Sequence, residues 1–192
     1  MHNIGEITGI ILAGGESRRM GIDKSKILYK AKPLIEYPIN LFRNFCDEII
    51  ISGENDKYSK YHLKKVQDES KRNGPLSGIY SCLKASKNHL NIVTTCDMPL
   101  LTKSLIEYII KNSEGYDLVM PFHHIHFEPL CAVYTKNLIP YIEDIFAKKD
   151  YSPLSLIPLV NFKKLTLDES TSFYSKQLFF NINTPEDLQN LK

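Results

Sequence analysis

Short β-rich runs alternate with segments of helical spacing along this chain, and that alternation limits the folds open to it. "ITGIILAGG" reads as a strand ending in glycines, "DEIIISG" as a second strand and "KKVQDES" as a short third. "LNIVTTCDMPLL" is a strand that runs into a carboxylate and a proline. Between them, "KPLIEYPINLFRNF" gathers Leu34, Ile35, Ile39, Leu41 and Phe42 on one helical face, with Pro38 as an irregularity. "GPLSGIYSCLKAS" is a loop feeding a helix, and "TKSLIEYIIKN" sets Leu105, Ile106, Ile109 and Ile110 on one face behind a Thr102 N-cap. The β-α-β-α order predicts an α/β fold with a mainly parallel sheet covered by helices on both faces. After "GYDLVMPF" the pattern changes, and the spacing to "EPLCAVYTK" suits a hairpin. The sheet is therefore expected to be mixed, with an antiparallel excursion near residues 118–135. "NLIPYIEDIFAKK" is the next helix, and "FFNINTPEDLQNL" closes the chain as strand, cap and helix, with Thr184, Pro185 and Asp187 at N-cap, N1 and N3.

A chain of 192 residues without a linker or repeat is expected to form one domain, residues 1–192. Lys and Arg exceed Asp and Glu only 24 to 22, so general polyanion binding, nucleic acid included, is not expected. Anion binding must come from local clustering, which Arg18, Arg19, Lys24, Lys26, Lys30 and Lys32 supply. Cys46, Cys82, Cys96 and Cys131 form no CxxC pair and read as buried free thiols. With no signal-like N-terminus and no membrane-length apolar run, a reducing cytoplasm is the expected address.

In open parallel sheets ligands bind beyond the carboxyl ends of strands. Gly14 and Gly15 follow the first strand there, and Asp97 follows "NIVTTC". Glycines let backbone N–H groups approach phosphate oxygens, and nearby Arg and Lys add charge-assisted contacts, so "IILAGGESRRMGIDKSK" has the makings of a polyphosphate cradle. Neither the P-loop spacing nor GxGxxG is met. A carboxylate at Asp97 facing a polyphosphate suits Mg²⁺, and a turn aspartate ahead of Met98 and Pro99 is the competing reading. Asp68 follows the short third strand and is either a second cleft acid or a solvated loop acid beside Glu69. His123, His124 and His126 lack a zinc spacing and read as surface residues of a loop tip.

"LAGGESRRMGIDK", "GPLSGI", "CDMPLL", "PLCAVY" and "FNINTPEDL" together resemble, in order, the motifs of molybdenum cofactor guanylyltransferases over residues 7–190. The resemblance implies a Rossmann-like, three-layer α/β/α nucleotidyltransferase fold, and transfer of GMP from GTP to molybdenum-bound molybdopterin with release of pyrophosphate. It implies main-chain nucleotide contacts from Leu12, Ala13 and Gly14, and places Gly15, Arg19 and Lys24 along the triphosphate. It gives Asp68 a nucleotide contact and Asp97 both nucleotide and Mg²⁺. Asn181 and Asn183 match the closing motif, on the acceptor side or at the metal. Lys24, Asp97 and Arg19 would carry the catalysis. One departure stands out: the family has a nucleotide-contacting Asn after the second strand, where this chain reads "IISGEND" and offers Ser52, Gly53 or Asn55. The family further implies other cofactor-biosynthesis proteins and recipient molybdoenzymes as partners. A cytidylyltransferase on the same pterin, a sugar-phosphate nucleotidyltransferase and a silent GTP-binding module are the alternatives. "GPLSGI" favours the guanylyl branch, and Lys24 with Asp97 disfavours a silent module.

Overall fold

All six residues of Ile7–Leu12 are buried, which sets this run inside a sheet rather than at its edge. The computed structural model describes residues 6–13, 27–53, 58–67 and 74–189. Its strands are β1 (Ile7–Leu12), a small hairpin β2 (Leu28–Tyr29) and β3 (Lys32–Pro33), β4 (Glu48–Ser52), β5 (Lys64–Val66) and β6 (Leu90–Thr95), then β7 (Leu118–His123), β8 (His126–Phe127), β9 (Ala132–Thr135) and β10 (Phe162–Thr166). The helices are α1 (Glu36–Phe42), α2 (Pro75–Ala85), α3 (Lys103–Lys111), α4 (Ile139–Ala147) and α5 (Pro185–Gln189).

The main sheet runs β10-β7-β9-β6-β1-β4-β5, with β8 paired to β7. β1 is parallel to both β4 and β6, β5 is parallel to β4, and β10 is parallel to β7. β9 is antiparallel to β6 and to β7, so the expected excursion is this strand together with the β7–β8 hairpin. Alternation along the strands divides the core in two. Ile11, Ile51, Ile92, Val119 and Val133 face α1 and α3, whereas Ile10, Ile50, Val93, Met120 and Tyr134 face α2 and α4. The result is the expected three-layer, mixed, mainly parallel architecture. Each fully buried Ile or Val here contributes roughly 1.5–3 kcal/mol. Close approach of α1 to β1 depends on Gly9, where a Cβ would lie 2.4 Å from Phe42 Cδ2.

The structure revises several local expectations. The apolar helix starts at Glu36, not at Lys32, because the preceding residues form the β2–β3 hairpin. Pro38 is buried in the first turn of α1, where helix N–H groups have no intrahelical partner, and causes no break. "FFNIN" is not a strand: its backbone docks on the loop after β6, through Ile182 N–H to the Asp97 carbonyl at 2.9 Å. β10 had no expectation attached to it, and it forms one sheet edge. That edge carries Lys163 and Lys164 and the opposite edge carries Lys64 and Lys65, an arrangement that discourages edge-to-edge pairing. The thiols are as read. Cys82, Cys96 and Cys131 are buried and Cys46 is half-buried, and burial pushes the Cys46 thiol up to about 12.

At the amino edge of the sheet Glu48 ties three elements together. Its Oε2 accepts from the Thr8 hydroxyl at 2.7 Å and from the Lys87 N–H at 2.8 Å, and its Oε1 lies 3.3 Å from Lys64 Nζ. Burial works to raise the Glu48 carboxyl, but the Lys87 N–H, the Thr8 hydroxyl and the Lys64 ammonium together hold it below its ordinary value of 4.5. A carboxyl lowered in the folded state stabilises fully above its unfolded value, and that contribution is lost as pH falls through the folded one. Glu48→Gln should therefore be less stable than the parent at neutral pH, and should lose less stability than the parent below about pH 4.5. Urea midpoints across that range check this, and parallel curves would refute it.

The β2–β3 turn places Lys30 at φ 47° and Ala31 at φ 60°. Two consecutive left-handed residues are the requirement of a type I′ turn, which glycine meets without steric cost. Ala31→Gly should raise stability by about 0.5–1 kcal/mol, measured by denaturant unfolding. A loss of stability would show that the turn gains more from the alanine than it loses in strain.

Candidate active site

Parallel pairing brings three chain segments to one place beyond the carboxyl edge. β1 ends at Leu12, whose partners across the register are Ser52 of β4 and Thr95 of β6. The edge continues past the last residue of β1: Ala13 N–H donates to the Ser52 carbonyl at 2.9 Å, and Cys96 N–H to the Leu12 carbonyl at 3.2 Å. The buried Tyr58 donates its hydroxyl to the Ala13 carbonyl at 3.1 Å. Leu12 and Ala13 are thus held on both flanks.

Asp97 lies on the turn immediately after β6 and is half-buried. The Thr95 hydroxyl donates to its Oδ1 at 2.6 Å, a short contact typical of a charged acceptor, and aims the carboxylate from two residues upstream. Thr95 itself is 7% exposed. Among the described residues no three His, Cys, Asp or Glu side chains converge on a common cation position. Among the described residues at this edge, Asp97 is the carboxylate that would hold a hard cation such as Mg²⁺. The Asp97 oxygen donors fit that use.

The closing segment completes the edge. Ile182 N–H holds it to the Asp97 carbonyl, and Asn181 and Asn183 flank that contact. Thr184 and Asp187 form a reciprocal cap at the start of α5: Asp187 Oδ2 accepts from the N–H groups of Asn183 and Thr184 at 2.7 Å, and Thr184 Oγ1 accepts from Asp187 N–H at 3.2 Å. The fully buried Ile182 also packs with Ile27, Tyr29 and Leu34 of the β2–β3 hairpin. The chain is consequently anchored at Ala13, where it leaves β1, and at Ile27, just ahead of the β2–β3 hairpin. α2 follows β5 and returns antiparallel to the strands, so its first turn also lies at this edge. Its N-cap Gly74 has φ 120° and ψ 159°, a backbone region essentially restricted to glycine, and a Cβ there would meet the Tyr151 carbonyl oxygen at 3.1 Å.

Residues 9–157 match the model of the MobA-like NTP transferase domain. The chain belongs to this family. It is 35% identical to a protein of Pelotomaculum thermopropionicum over 95% of its own length and 90% of that protein's. It is also 35% identical to one of Natranaerobius thermophilus, over 95% and 93% respectively. Both are named probable molybdenum cofactor guanylyltransferases. Among solved structures it resembles molybdopterin-guanine dinucleotide biosynthesis protein A from Archaeoglobus fulgidus, with a TM-score of 0.81, 26% identity and 95% coverage of both chains. The MobA-like chain is accordingly an enzyme of the nucleotidyltransferase class, with a role in molybdenum cofactor biosynthesis.

Of the site residues read from the sequence, Leu12, Ala13, Asp97, Asn181 and Asn183 come together at the carboxyl edge. Gly14, Gly15, Arg19, Lys24 and Asp68 lie outside the described residues, as does Asn55. Of the other two stand-ins for the family Asn, Ser52 is buried and uses its carbonyl on Ala13, and Gly53 donates its N–H to the Val66 carbonyl at 3.1 Å. Sequence reasoning missed Tyr58 and Thr95. Thr95 sits two residues before Asp97 at the end of β6, close enough in sequence to be read as a local partner. Nothing local marks Tyr58, which reaches Ala13 across 45 residues of chain. The histidines need correction. His124 and His126 are exposed as expected, but the His123 side chain is only 12% exposed and pairs with Glu128.

The Thr95–Asp97 contact generates a direct test. Thr95→Val keeps shape and β-branching but removes the donor, and should cost about 1–2 kcal/mol of stability. Thr95→Ser should recover most of it. Chemical denaturation of the two variants checks this, and equal stabilities would show that the hydroxyl does not anchor the carboxylate.

Proposed function

We propose that this chain transfers GMP from GTP to the terminal phosphate of molybdenum-bound molybdopterin, releasing pyrophosphate, and that residues 1–192 act as one nucleotidyltransferase domain. The observation that carries the reading is the convergence, in a MobA-like enzyme, of Leu12–Ala13, Asp97 and the Asn181–Asn183 segment at one strand edge. An acceptor phosphate oxygen attacks the α-phosphorus of GTP, the bond to the β-phosphate bridging oxygen breaks, and pyrophosphate leaves. Because the nucleophile is already a phosphate oxygen, no strong general base is needed. The work is in-line positioning and charge stabilisation.

In this reading the main chain of Leu12, Ala13 and Gly14 seats the nucleotide, with Ser52 and Tyr58 fixing Ala13 from either side. Gly15 and Arg19 run along the triphosphate, Lys24 contacts it, and Asp68 contacts the nucleotide. Asp97 holds Mg²⁺, oriented by Thr95, and Asn181 and Asn183 serve the acceptor side. Bound Mg²⁺ would neutralise charge on the α-phosphate and on the departing pyrophosphate. A cytoplasmic address goes with this reading and is supported by the four free thiols. Among the described residues no helix is long and apolar enough to cross a membrane. The partners are GTP and the pterin substrate, with other cofactor-biosynthesis proteins and recipient molybdoenzymes beyond them.

The deciding experiment is turnover with the molybdenum-bound pterin and GTP, CTP or ATP, for the parent and for Asp97→Asn. Guanine and cytosine differ in size and in Watson–Crick edge, so GTP should exceed both rivals by at least about a hundredfold in kcat/KM. Asp97→Asn should lower transfer by on the order of a hundredfold or more while the fold persists. Comparable use of CTP would remove the guanylyl assignment and leave the nucleotidyltransferase one. Near-normal turnover of Asp97→Asn at saturating Mg²⁺ would remove Asp97 from the metal site.

A further inference from the structure

The half-buried histidine at the end of β7 has no part in the reading above, yet it lies at the same edge. β9 is antiparallel to both β6 and β7, so β6 and β7 run the same way, and His123 ends β7 on the side where Asp97 ends β6. His123 Nε2 and Glu128 Oε1 are 2.7 Å apart, with side-chain exposures of 12% and 16%. Every other described ion pair has at least one partner more than two-fifths exposed. Glu128 is also held through its backbone: its N–H donates to the Pro121 carbonyl and its carbonyl accepts from Cys131 N–H, each at 3.0 Å. Burial pushes the Glu128 carboxyl up, against the opposing pull of the imidazole. Taking a carboxylate partly out of water is costly unless a well-placed partner offsets it.

Besides this polar contact, the ring has an aromatic one. The His123 imidazole lies against the buried Phe179 ring at 4.6 Å between centroids and 33° between planes. The Phe179 carbonyl accepts from Asn181 Nδ2 at 3.4 Å, and one residue later Ile182 N–H reaches the Asp97 carbonyl. Two further contacts tie the chain between β10 and α5 to the same strand and hairpin. Leu167 N–H donates to the Phe122 carbonyl at 2.9 Å, and the Tyr174 hydroxyl meets His124 Nε2 at 3.3 Å.

We propose that His123, locked by Glu128, is a positioning residue for the acceptor half of the site. It fixes Phe179 and thereby sets Asn181 and Asn183 beside the Asp97 turn. The proposal deepens, and rests on, the transfer activity proposed above. A ring wanted only for packing needs no half-buried carboxylate beside it, whereas a ring whose plane must be fixed does, because the imidazole–carboxylate bond removes rotation about the last side-chain torsion.

The test uses the full chain. His123→Asn should raise the KM for the pterin acceptor about tenfold, with a smaller fall in kcat. GTP affinity, measured by calorimetry, should stay within about twofold. Glu128→Ala should share the raised acceptor KM, whereas Glu128→Gln, which keeps a hydrogen bond to the imidazole, should stay near the parental value; equal KM in these two variants overturns the lock. Independently of activity, amide hydrogen exchange at Ile182 should quicken about tenfold in His123→Asn while the β1 and β6 amides are unchanged. Phe179→Leu removes the same contact from the other side and should give the same pattern, so the proposal stays testable if one variant fails to fold. Unchanged exchange at Ile182, or a loss of GTP affinity in step with the acceptor KM, overturns it. If the parent does not transfer GMP to the pterin, the functional reading falls, and exchange at Ile182 still decides this one.

Discussion

Parallel pairing between β1 and β6 sets Leu12 opposite Thr95, and the arrangement of the carboxyl edge depends on that register. Because the side-chain period of a strand is two, a shift of one residue would turn Ile10 and Leu12 towards α1 and α3, and Ile11 towards α2 and α4. Two filled cores make such a slip costly, since both faces of these strands are buried. The hydrophobic effect therefore does more than stabilise the sheet. It fixes, to within a residue, which backbone groups and which carboxylate meet beyond its end.

Chain leaving that edge is tied back by polar contacts. Ser52 and Tyr58 hold Ala13, Thr95 holds Asp97, and Ile182 N–H couples Asp97 to the end of the chain. The same Ile182 fills an apolar cluster with the hairpin that follows the glycine segment. One residue thus links the carboxylate turn, the closing segment and the β2–β3 hairpin. The opposite edge is built differently. There Glu48, Thr8, Ser86, Asn88 and Lys87 satisfy one another in a closed network suited to stability, with Lys64 and Lys136 capping the carbonyls of Ala85 and Ser86.

The antiparallel strand β9 is what allows two parallel units to share one sheet. By running back between β6 and β7 it places the ends of both on the same side, and it brings the β7–β8 hairpin within reach of the closing segment. A continuous parallel sheet would need a longer crossover at this point. The mixed topology is therefore part of how the site is assembled. Exposed ends of the sheet are protected by paired lysines, one of which, Lys164, lies 3.5 Å from the Phe122 ring centroid and keeps that edge both charged and packed.

The sequence by itself determined the layers, the direction of most strands and the Asp97 carboxylate, because each is written in local periodicity or in residues a few positions apart. "ITGIIL" and "LNIVTT" are buried along their whole length, as central strands of the sheet, and Thr102 caps α3 as its spacing foretold, accepting from Leu105 N–H at 3.3 Å. The Thr184–Asp187 cap was legible for the same reason. Only tertiary structure decided that "FFNIN" docks on a turn instead of joining a sheet, that Tyr58 reaches Ala13, and that His123 is a half-buried partner of Glu128. Those outcomes depend on contacts between residues 45 apart, or 85 apart for Ile182 and Asp97, or on which side chain covers a ring. For the two long-range pairs no window of sequence contains both members, and for His123 and Glu128, five residues apart, the window holds both but not the turn and the Phe179 ring that bring them together.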